Sequence, residues 1–320
     1  MRTTQAHPRN PPPMLRQLTV LGSQAAYPTL DRPCSGFLLT WDELSIVLDL
    51  GYGTLQPLLA RGVDPHAIDA VVITHEHPDH WLDLHALLRL LYYGRPPKPP
   101  SMSDVMERAQ EEGREQKKKK SKLGLYCTRG VLEQLIHLEP DLPLSAIADV
   151  HILTHRCTFT IGTTPASLQL AGLLLPHWVP NIGIRLAHAP LPDQPLPSSG
   201  EAHLQDDDSG AANTTTRRRA LLAYTGDTGP SPLLTELGRD ARLFIVDATD
   251  RPGEMAKPAG ERNLLTAAEA GQWAAEAKAE TLLLTHFWPG NDTAAAVERA
   301  REGFEGEVLA AEPGMVMDLS

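Results

Sequence analysis

The run His75-Glu76-His77-Pro78-Asp79-His80 constrains this chain more than any other feature of the sequence. It directly follows an apolar stretch at residues 70–74, and residues 81–91 then have the spacing of an amphipathic helix. Alternate side chains of an extended backbone share one face, so His75 and His77 point to the same side, while Asp79 and His80 at the helix start turn toward the same pocket. The run therefore predicts four converging ligands suited to zinc or a similar divalent ion.

The remaining pattern predicts a layered α/β sandwich. Apolar runs typical of strands occur at residues 18–22, 35–40, 44–48, 70–74, 123–127, 151–154, 167–172, 182–187, 221–224, 243–246, 281–284, 307–310 and 315–319. Helical patterns lie between them at residues 55–61, 80–92, 129–138, 232–237, 266–278 and 293–303. Strands in pairs with helices interspersed favour sheets that are covered by helices.

The domain organisation follows from length and local composition. A chain of 320 residues that is 42% hydrophobic can bury a large core, and we interpret residues 14–320 as a single domain. Residues 1–13, rich in Pro and Arg, are expected to be a disordered N-terminal extension. The segments at about 94–122 and 190–216 are dominated by Pro, charged and small polar residues, so we predict that both are flexible insertions.

Charge and cysteine usage exclude several classes of protein. The formal net charge of −11 does not favour broad coating of nucleic acid. Three widely separated cysteines without CxxC spacing fit reduced thiols better than a disulfide framework. Because no run of eighteen apolar residues and no leader-like start occurs, we expect a cytoplasmic protein without a membrane partner.

Residues 75–80 resemble the HxHxDH motif of the metallo-β-lactamase superfamily, and further segments match in order. Residues 176–183 resemble its third-histidine motif, residues 224–228 its bridging-aspartate motif and residues 284–287 its last-histidine motif. The resemblance implies a four-layer αββα sandwich that binds two divalent metal ions, zinc or alternatively manganese. One ion would be held by His75, His77 and His177, the other by Asp79, His80 and His286, with Asp227 between them.

Other segments resemble the ribonuclease Z branch of that superfamily, which contains tRNA 3′-processing endonucleases and cyclic-nucleotide phosphodiesterases. They include residues 18–23, the turn at Asp49-Leu50-Gly51 and residues 183–185. Asp49 is a candidate for orienting a metal ligand, with a simple turn role as the alternative. Two departures concern the substrate. Leu264 replaces a histidine that assists the leaving group in the endonucleases, and residues 178–226 contain no match to their tRNA-gripping arm.

The resemblance implies a metal-dependent hydrolase, with the two ions activating water for attack and Asp79 as the catalytic residue that handles the proton. We expect a phosphodiesterase for a small-molecule or short nucleotide substrate. The alternatives are a tRNA 3′-end endonuclease, a lactone or thioester hydrolase, and a non-catalytic metal-bound regulatory protein. Members of the branch form homodimers, so a homodimer is also expected.

Three residues near the candidate ligands in sequence are candidates for the missing proton donor, namely His188, Asn263 and Thr266. Trp178 and Trp288 each closely follow a predicted ligand. They are predicted either to wall the substrate pocket or to pack in the core.

Overall fold

A computed structural model describes residues 15–94, 122–163, 167–188 and 220–320. The predicted extension at residues 1–13 and the predicted insertion at 190–216 lie outside these ranges. The predicted insertion at 94–122 lies outside them as well, except for its two end residues. The described part of the chain contains no helix with the length and apolar character required to cross a bilayer.

The described residues form two seven-stranded sheets. The strands are β1 Arg16–Gly22, β2 Gly36–Trp41, β3 Leu44–Leu50, β4 Ala70–Ile73, β5 Leu123–Cys127, β6 Ala148–Ile152, β7 Thr158–Ile161, β8 Leu168–Leu175, β9 Asn181–His188, β10 Leu222–Tyr224, β11 Leu243–Asp247, β12 Thr281–Thr285, β13 Glu307–Ala310 and β14 Val316–Asp318. The first sheet has the order β14-β1-β2-β3-β4-β5-β6 and the second the order β13-β12-β11-β10-β9-β8-β7. Each sheet therefore has its own run of neighbouring parallel strands, β3 to β6 in one and β10 to β13 in the other.

Helices cover the outer face of each sheet. They are α1 Leu55–Ala60, α2 Pro78–Tyr93, α3 Arg129–Leu138, α4 Leu144–Ile147, α5 Leu233–Gly238, α6 Pro252–Met255, α7 Ala267–Ala277 and α8 Thr293–Arg301. Leu84 and Leu88 of α2 pack on the first sheet, whereas Ala270 and Ala274 of α7 pack on the second. The predicted four-layer αββα arrangement is confirmed.

The central core lies between the two sheets. Period-2 alternation in each strand sends one set of apolar side chains inward and the other outward to the helices. In β3, for example, Ile46 and Leu48 join the central cluster, whereas Val47 joins the cluster under α2. Phe37 of the first sheet packs edge-to-face against Tyr224 of the second, with the two ring centroids 5.4 Å apart. This packing fixes the two sheets face to face.

The predicted elements differ from the observed ones where the segments are short. The edge strand β7 and the one-turn helices α4 and α6 were not predicted, since their four residues, unlike those of β4, form no continuous apolar run. The strand predicted at residues 151–154 begins three residues earlier, at Ala148. These errors lie away from the candidate ligands, apart from α6.

Candidate metal centre

The candidate ligands lie at the carboxyl ends of strands in both sheets. His75 follows β4, Asp227 follows β10 and His286 follows β12, whereas His177 lies in the connection between β8 and β9. The carboxyl ends of parallel strands meet at one edge of a sheet, so each sheet delivers its ligands to a common edge. The backbone hydrogen bond from Ile182 N to Thr74 O, at 3.0 Å, joins the two sheets there.

Three histidines and Asp227 form the first group. The Nδ1 atom of His77 lies 3.1 Å from Nε2 of His75 and 3.0 Å from Nε2 of His177. Both of those Nε2 atoms lie 3.8 Å from Oδ2 of Asp227. The structure thus brings His75, His77 and His177 together as predicted. His77 and His177 are 100 residues apart in the sequence and lie in different loops.

Asp79, His80 and His286 form the second group. Oδ2 of Asp79 lies 3.4 Å from Nε2 of His286 and 3.9 Å from Nε2 of His80. Asp227 also faces this group, with Oδ1 at 3.1 Å from Nε2 of His80 and Oδ2 at 3.2 Å from Nε2 of His286. Asp227 consequently lies between the two groups, which is the position of a bridging ligand.

The donor atoms fit divalent cations. His80 Nε2 and Asp227 Oδ1 are both buried and lie 3.1 Å apart, yet neither makes a hydrogen bond within the described residues. Buried polar atoms without partners are rare in folded proteins because they lose their solvation. A cation held between a ring nitrogen and a carboxylate oxygen satisfies both atoms, and imidazole with carboxylate is the donor set of zinc and related ions.

Outer partners leave one nitrogen of each ligand ring facing the centre. The Nδ1 atoms of His75, His177, His80 and His286 contact Thr74 Oγ1 at 3.1 Å, Asn263 O at 2.8 Å, Asp49 Oδ2 at 2.7 Å and Thr249 Oγ1 at 2.7 Å, respectively. Such partners fix the tautomer and orientation of a ligating imidazole. All four rings therefore direct Nε2 inward, and His77 is the exception that directs Nδ1.

Comparison with known proteins agrees with this geometry. The family model of the beta-lactamase superfamily domain matches residues 45–287, a range that includes all seven candidate ligands. The chain belongs to the beta-lactamase superfamily. Its curated relatives include ribonuclease Z of Kineococcus radiotolerans, which is 27% identical over 306 residues that cover 89% of this chain and 88% of that protein. The predicted resemblance to ribonuclease Z is thus confirmed.

Solved structures share the superfamily fold. The metallo-beta-lactamase fold protein YhfI from Bacillus subtilis is 20% identical, with a TM-score of 0.67, and the match covers 95% of this chain and 99% of that one. Unliganded yeast PDE1 is 12% identical, with a TM-score of 0.61 and the same coverage of the two chains. At these identities the likeness shows the fold alone.

The two ligand groups of this superfamily member differ in charge. Burial, reinforced by the neighbouring histidines, holds the pKa of His75 well below its usual value, and burial also lowers the pKa of His77 and of His177. Burial acts in the same direction on His286, but Asp227, Asp247 and Asp79 outweigh it and raise its pKa to about 10. The three histidines of the first group are therefore neutral, the form that binds a metal, whereas His286 carries a proton that a bound cation would displace.

The carboxylates of the centre stay ionised. Burial opposes ionisation of Asp227, but His286, His80 and His177 outweigh it and lower its pKa to about 2. The hydrogen bond with His286, the charge of His80 and the 2.7 Å hydrogen bond from Ala26 N likewise overcome burial and hold the pKa of Asp79 far below its usual range. Both side chains are thus anionic at neutral pH, as cation ligands must be.

The loops that present the ligands hold unusual backbone conformations. Asp49, His286 and Gly226 all have a positive φ, at 51°, 60° and 59°. A Cβ on Gly226 would lie 2.4 Å from Asn181 Oδ1, so glycine is required there for space as well as for conformation. Left-handed backbone at non-glycine residues concentrates at functional sites.

Asp49 has the orienting position that the sequence left open. Besides His80, it accepts hydrogen bonds from Thr74 N at 2.8 Å and from the Tyr224 hydroxyl at 2.7 Å. Asp247 has a similar place behind His286. It accepts from Thr228 N at 3.1 Å and Thr249 N at 2.9 Å, and its Oδ1 lies 3.8 Å from His286 Nδ1. Asp247 therefore supports His286 through Thr249, whose hydroxyl contacts both Asp247 Oδ1 and His286 Nδ1.

Sequence reasoning missed three residues that build the site. Tyr224 anchors Asp49, Thr249 contacts His286, and Asn181 donates through Nδ2 to Thr225 O at 2.9 Å and to Asp227 O at 2.6 Å. Tyr224 and Asn181 lie inside recognised motifs and Thr249 lies outside them, but position relative to a motif does not reveal which side chain points inward. Glu76, inside the first motif, turns away from the ligands toward Gly130 at the start of α3.

The three proton-donor candidates have other surroundings. His188 lies at the far end of β9 from Asn181, with its ring 5.0 Å from that of Trp41. Thr266 caps α7 in a reciprocal pair with Glu269. Asn263 accepts from His177 through its backbone oxygen, and its backbone N donates to Glu254. None of these contacts directs a proton donor toward the ligand groups.

Proposed function

We propose that this protein is a metal-dependent phosphodiesterase that acts on a small or short nucleotide-type phosphodiester. One observation carries the proposal, namely the two groups of nitrogen and oxygen donors that share Asp227 at a single edge of the sandwich. His75, His77 and His177 would hold one ion, Asp79, His80 and His286 the other. Two such ions supply a water of lowered pKa and positive charge for a phosphoryl group, and zinc or manganese suits the donors.

The protein's own residues would position and protect the reaction. The Asp79 carboxylate, held by Ala26 N, remains ionised and is the group in reach to accept or relay a proton. Leu264 is 4% exposed and offers no proton to a departing oxygen. We therefore expect rates to fall steeply as the leaving group becomes more basic. A cytoplasmic location, proposed with this activity, is consistent with three free thiols.

The experiment compares ester classes on one preparation. Protein reconstituted with zinc or with manganese is assayed on bis-p-nitrophenyl phosphate, cyclic nucleotides, a lactone and a thioester, and its metal content is measured. We expect hydrolysis of the phosphodiesters, fastest with the p-nitrophenolate leaving group. Hydrolysis confined to the lactone or the thioester would contradict the proposal.

The matched variants are Asp79→Ala and Asp149→Ala. Asp149 is an exposed carboxylate on β6 and pairs with Lys122 at 3.5 Å, away from the centre. Loss of Asp79 is expected to lower kcat/KM by about 10²–10⁴-fold, the range of general acid–base catalysis, in a protein that still folds. Asp149→Ala is expected to keep the activity. Equal activity of the two variants would remove Asp79 from the mechanism.

A second candidate is a tRNA 3′-end endonuclease, because the curated relatives named ribonuclease Z match across most of the chain. A precursor tRNA with a 3′ trailer belongs in the same assay. Cleavage of that RNA at a single site, with kcat/KM well above that for cyclic nucleotides, would favour the endonuclease over the small-substrate enzyme.

A further inference from the structure

An arginine lies against two tryptophans beside the candidate metal centre. The guanidinium carbon of Arg251 is 4.8 Å from the ring centroid of Trp288 and 6.0 Å from that of Trp178. Both distances are within the range of cation–π attraction. We call Trp178, Arg251 and Trp288 the rim cluster.

Trp178 connects the rim cluster to the first ligand group. Its ring centroid lies 4.9 Å from that of His177 and 6.3 Å from that of His77. Trp178 is 47% exposed, although an indole of this size contributes most to stability when it is buried. An exposed aromatic ring in contact with two candidate ligands is therefore available to a molecule that approaches the centre.

The other two members connect to the second ligand group. Trp288 follows His286 by two residues, and its backbone N donates to Thr249 O at 3.3 Å. Thr249 in turn contacts His286 Nδ1, and Arg251 is two residues beyond Thr249. The rim cluster therefore contacts the first ligand group through Trp178 and adjoins the second through Thr249, which contacts both Trp288 N and His286.

The charge of Arg251 is not neutralised within the described part of the chain. The residue is exposed, and its guanidinium has no hydrogen bond or ion pair with a described residue. Glu254 is the acid whose pKa Arg251 helps to lower, but its two oxygens bind Lys257 Nζ and Asn263 N. The N–H donors of Arg251 thus have no hydrogen-bond partner among the described residues, while its guanidinium carbon lies within cation–π range of both indole rings.

We propose that the rim cluster is a nucleotide subsite, in which Arg251 binds a phosphate group and the indole of Trp178 stacks on the base. Guanidinium forks bind phosphate oxygens in pairs, and indole rings stack on any base. This inference rests on the proposed phosphodiesterase activity and deepens it. It assigns the nucleotide preference to side chains that are not candidate metal ligands.

Calorimetric binding of three probes tests the subsite. AMP, ribose 5-phosphate and adenosine are titrated into the zinc-loaded full chain and into its variants. For the wild type we expect AMP to bind about tenfold more tightly than ribose 5-phosphate, a difference of about 1.4 kcal/mol that stacking of one base supplies. Trp178→Ala should remove this difference, whereas Trp178→Phe should retain most of it.

Variants of Arg251 and of Arg301 test whether the charge of Arg251 contributes to binding independently of any effect on folding. Arg251→Gln is expected to weaken the binding of AMP and of ribose 5-phosphate by the same factor, about tenfold. The affinity for adenosine should be unchanged. Arg251→Lys should give an intermediate loss, since it keeps the charge without the fork. Arg301→Gln removes an exposed charge from the end of α8 and should bind all three probes like the wild type. Thermal unfolding and zinc content, unchanged in each variant, show that fold and metal are intact.

The outcomes distinguish this inference from the proposed function. If Arg251→Gln and Trp178→Ala bind AMP like Arg301→Gln, the rim cluster is only a structural contact, even where the wild type hydrolyses bis-p-nitrophenyl phosphate. If that ester is inert but AMP binding depends on Arg251 and Trp178, the phosphodiesterase proposal fails and the nucleotide subsite stands.

Discussion

At the scale of single residues, the candidate centre depends on the partners behind its ligands. His80 directs Nε2 inward because Asp49 holds its Nδ1, and Asp49 is held in turn by Thr74 and Tyr224. A carboxylate behind an imidazole raises its basicity and fixes its orientation. Metal affinity in this protein should therefore depend on residues that never touch the ion.

Asp49→Asn tests this dependence. An amide cannot reproduce both acceptor oxygens, so His80 loses its orienting partner. We expect metal affinity to fall by about 10–100-fold, measured by chelator competition, while circular dichroism still shows the native fold. Asp42→Asn is the matched control. Asp42 lies in the β2–β3 turn and pairs with Arg16 of β1, so it contacts none of the candidate ligands. Unaltered affinity in Asp49→Asn would assign Asp49 to the turn alone.

At the scale of elements, the carboxyl ends of β3, β4, β10 and β12 carry the functional groups on short turns. Parallel strands bring those turns to one edge, and the left-handed residues Asp49, Gly226 and His286 redirect the chain there. Sequence patterns predicted these strands, since each is an apolar run. They did not predict the left-handed conformation of these three residues, because the φ angle there depends on contacts that form only in the folded protein.

Gly226→Ala tests the turn that presents Asp227. The added Cβ would meet Asn181 and Thr74 in a left-handed conformation, so both space and backbone oppose it. We expect a loss of about 1–3 kcal/mol in the free energy of unfolding, measured in urea, together with weaker metal binding.

Gly260→Ala is the matched control. A Cβ at Gly260 has no heavy atom within 4 Å and needs no positive φ, so stability should be unchanged or slightly increased. If Gly226→Ala were as stable as this control, the geometry of the Asp227 turn described above would be wrong.

At the scale of the whole molecule, the two sheets are joined where the candidate ligands converge. Phe287 O accepts hydrogen bonds from Gln24 Nε2 and from Ala25 N, both at 2.9 Å. These bonds join the loop after His286 to the segment that follows β1 of the first sheet. The Tyr224 hydroxyl crosses the core from the second sheet to Asp49 of the first. The contacts that position the centre are therefore also contacts that join the two sheets.

Tyr224→Phe tests that coupling. The variant keeps the ring contact with Phe37 and removes one hydrogen bond to a buried carboxylate, which is worth about 1.5–3 kcal/mol. We expect the metal-free protein to lose about that free energy of unfolding and the loaded protein to bind metal more weakly. Tyr93→Phe, at a residue that is 58% exposed, should change neither quantity.

Much of the fold and the ligand set could be predicted because both are encoded locally. A short apolar run defines a strand such as β3 without reference to the rest of the chain, and the run at residues 75–80 places four candidate ligands within six consecutive residues. His177, Asp227 and His286 were identified through their short motifs. The elements β7 and α6 were not predicted, since neither contains a continuous apolar run and both depend on pairing and packing with distant residues.

The chain's sequence alone predicted the fold class and the four candidate ligands at residues 75–80, because each is a property of neighbouring residues, and the resemblance of three further motifs implied His177, Asp227 and His286. Only the tertiary structure decided that Asp227 faces both groups, that Tyr224 reaches Asp49 and that Arg251 lies within cation–π range of Trp178 and Trp288. These contacts join residues far apart in the chain. The distances between these residues depend on how the two sheets pack, and a local sequence pattern does not contain that information.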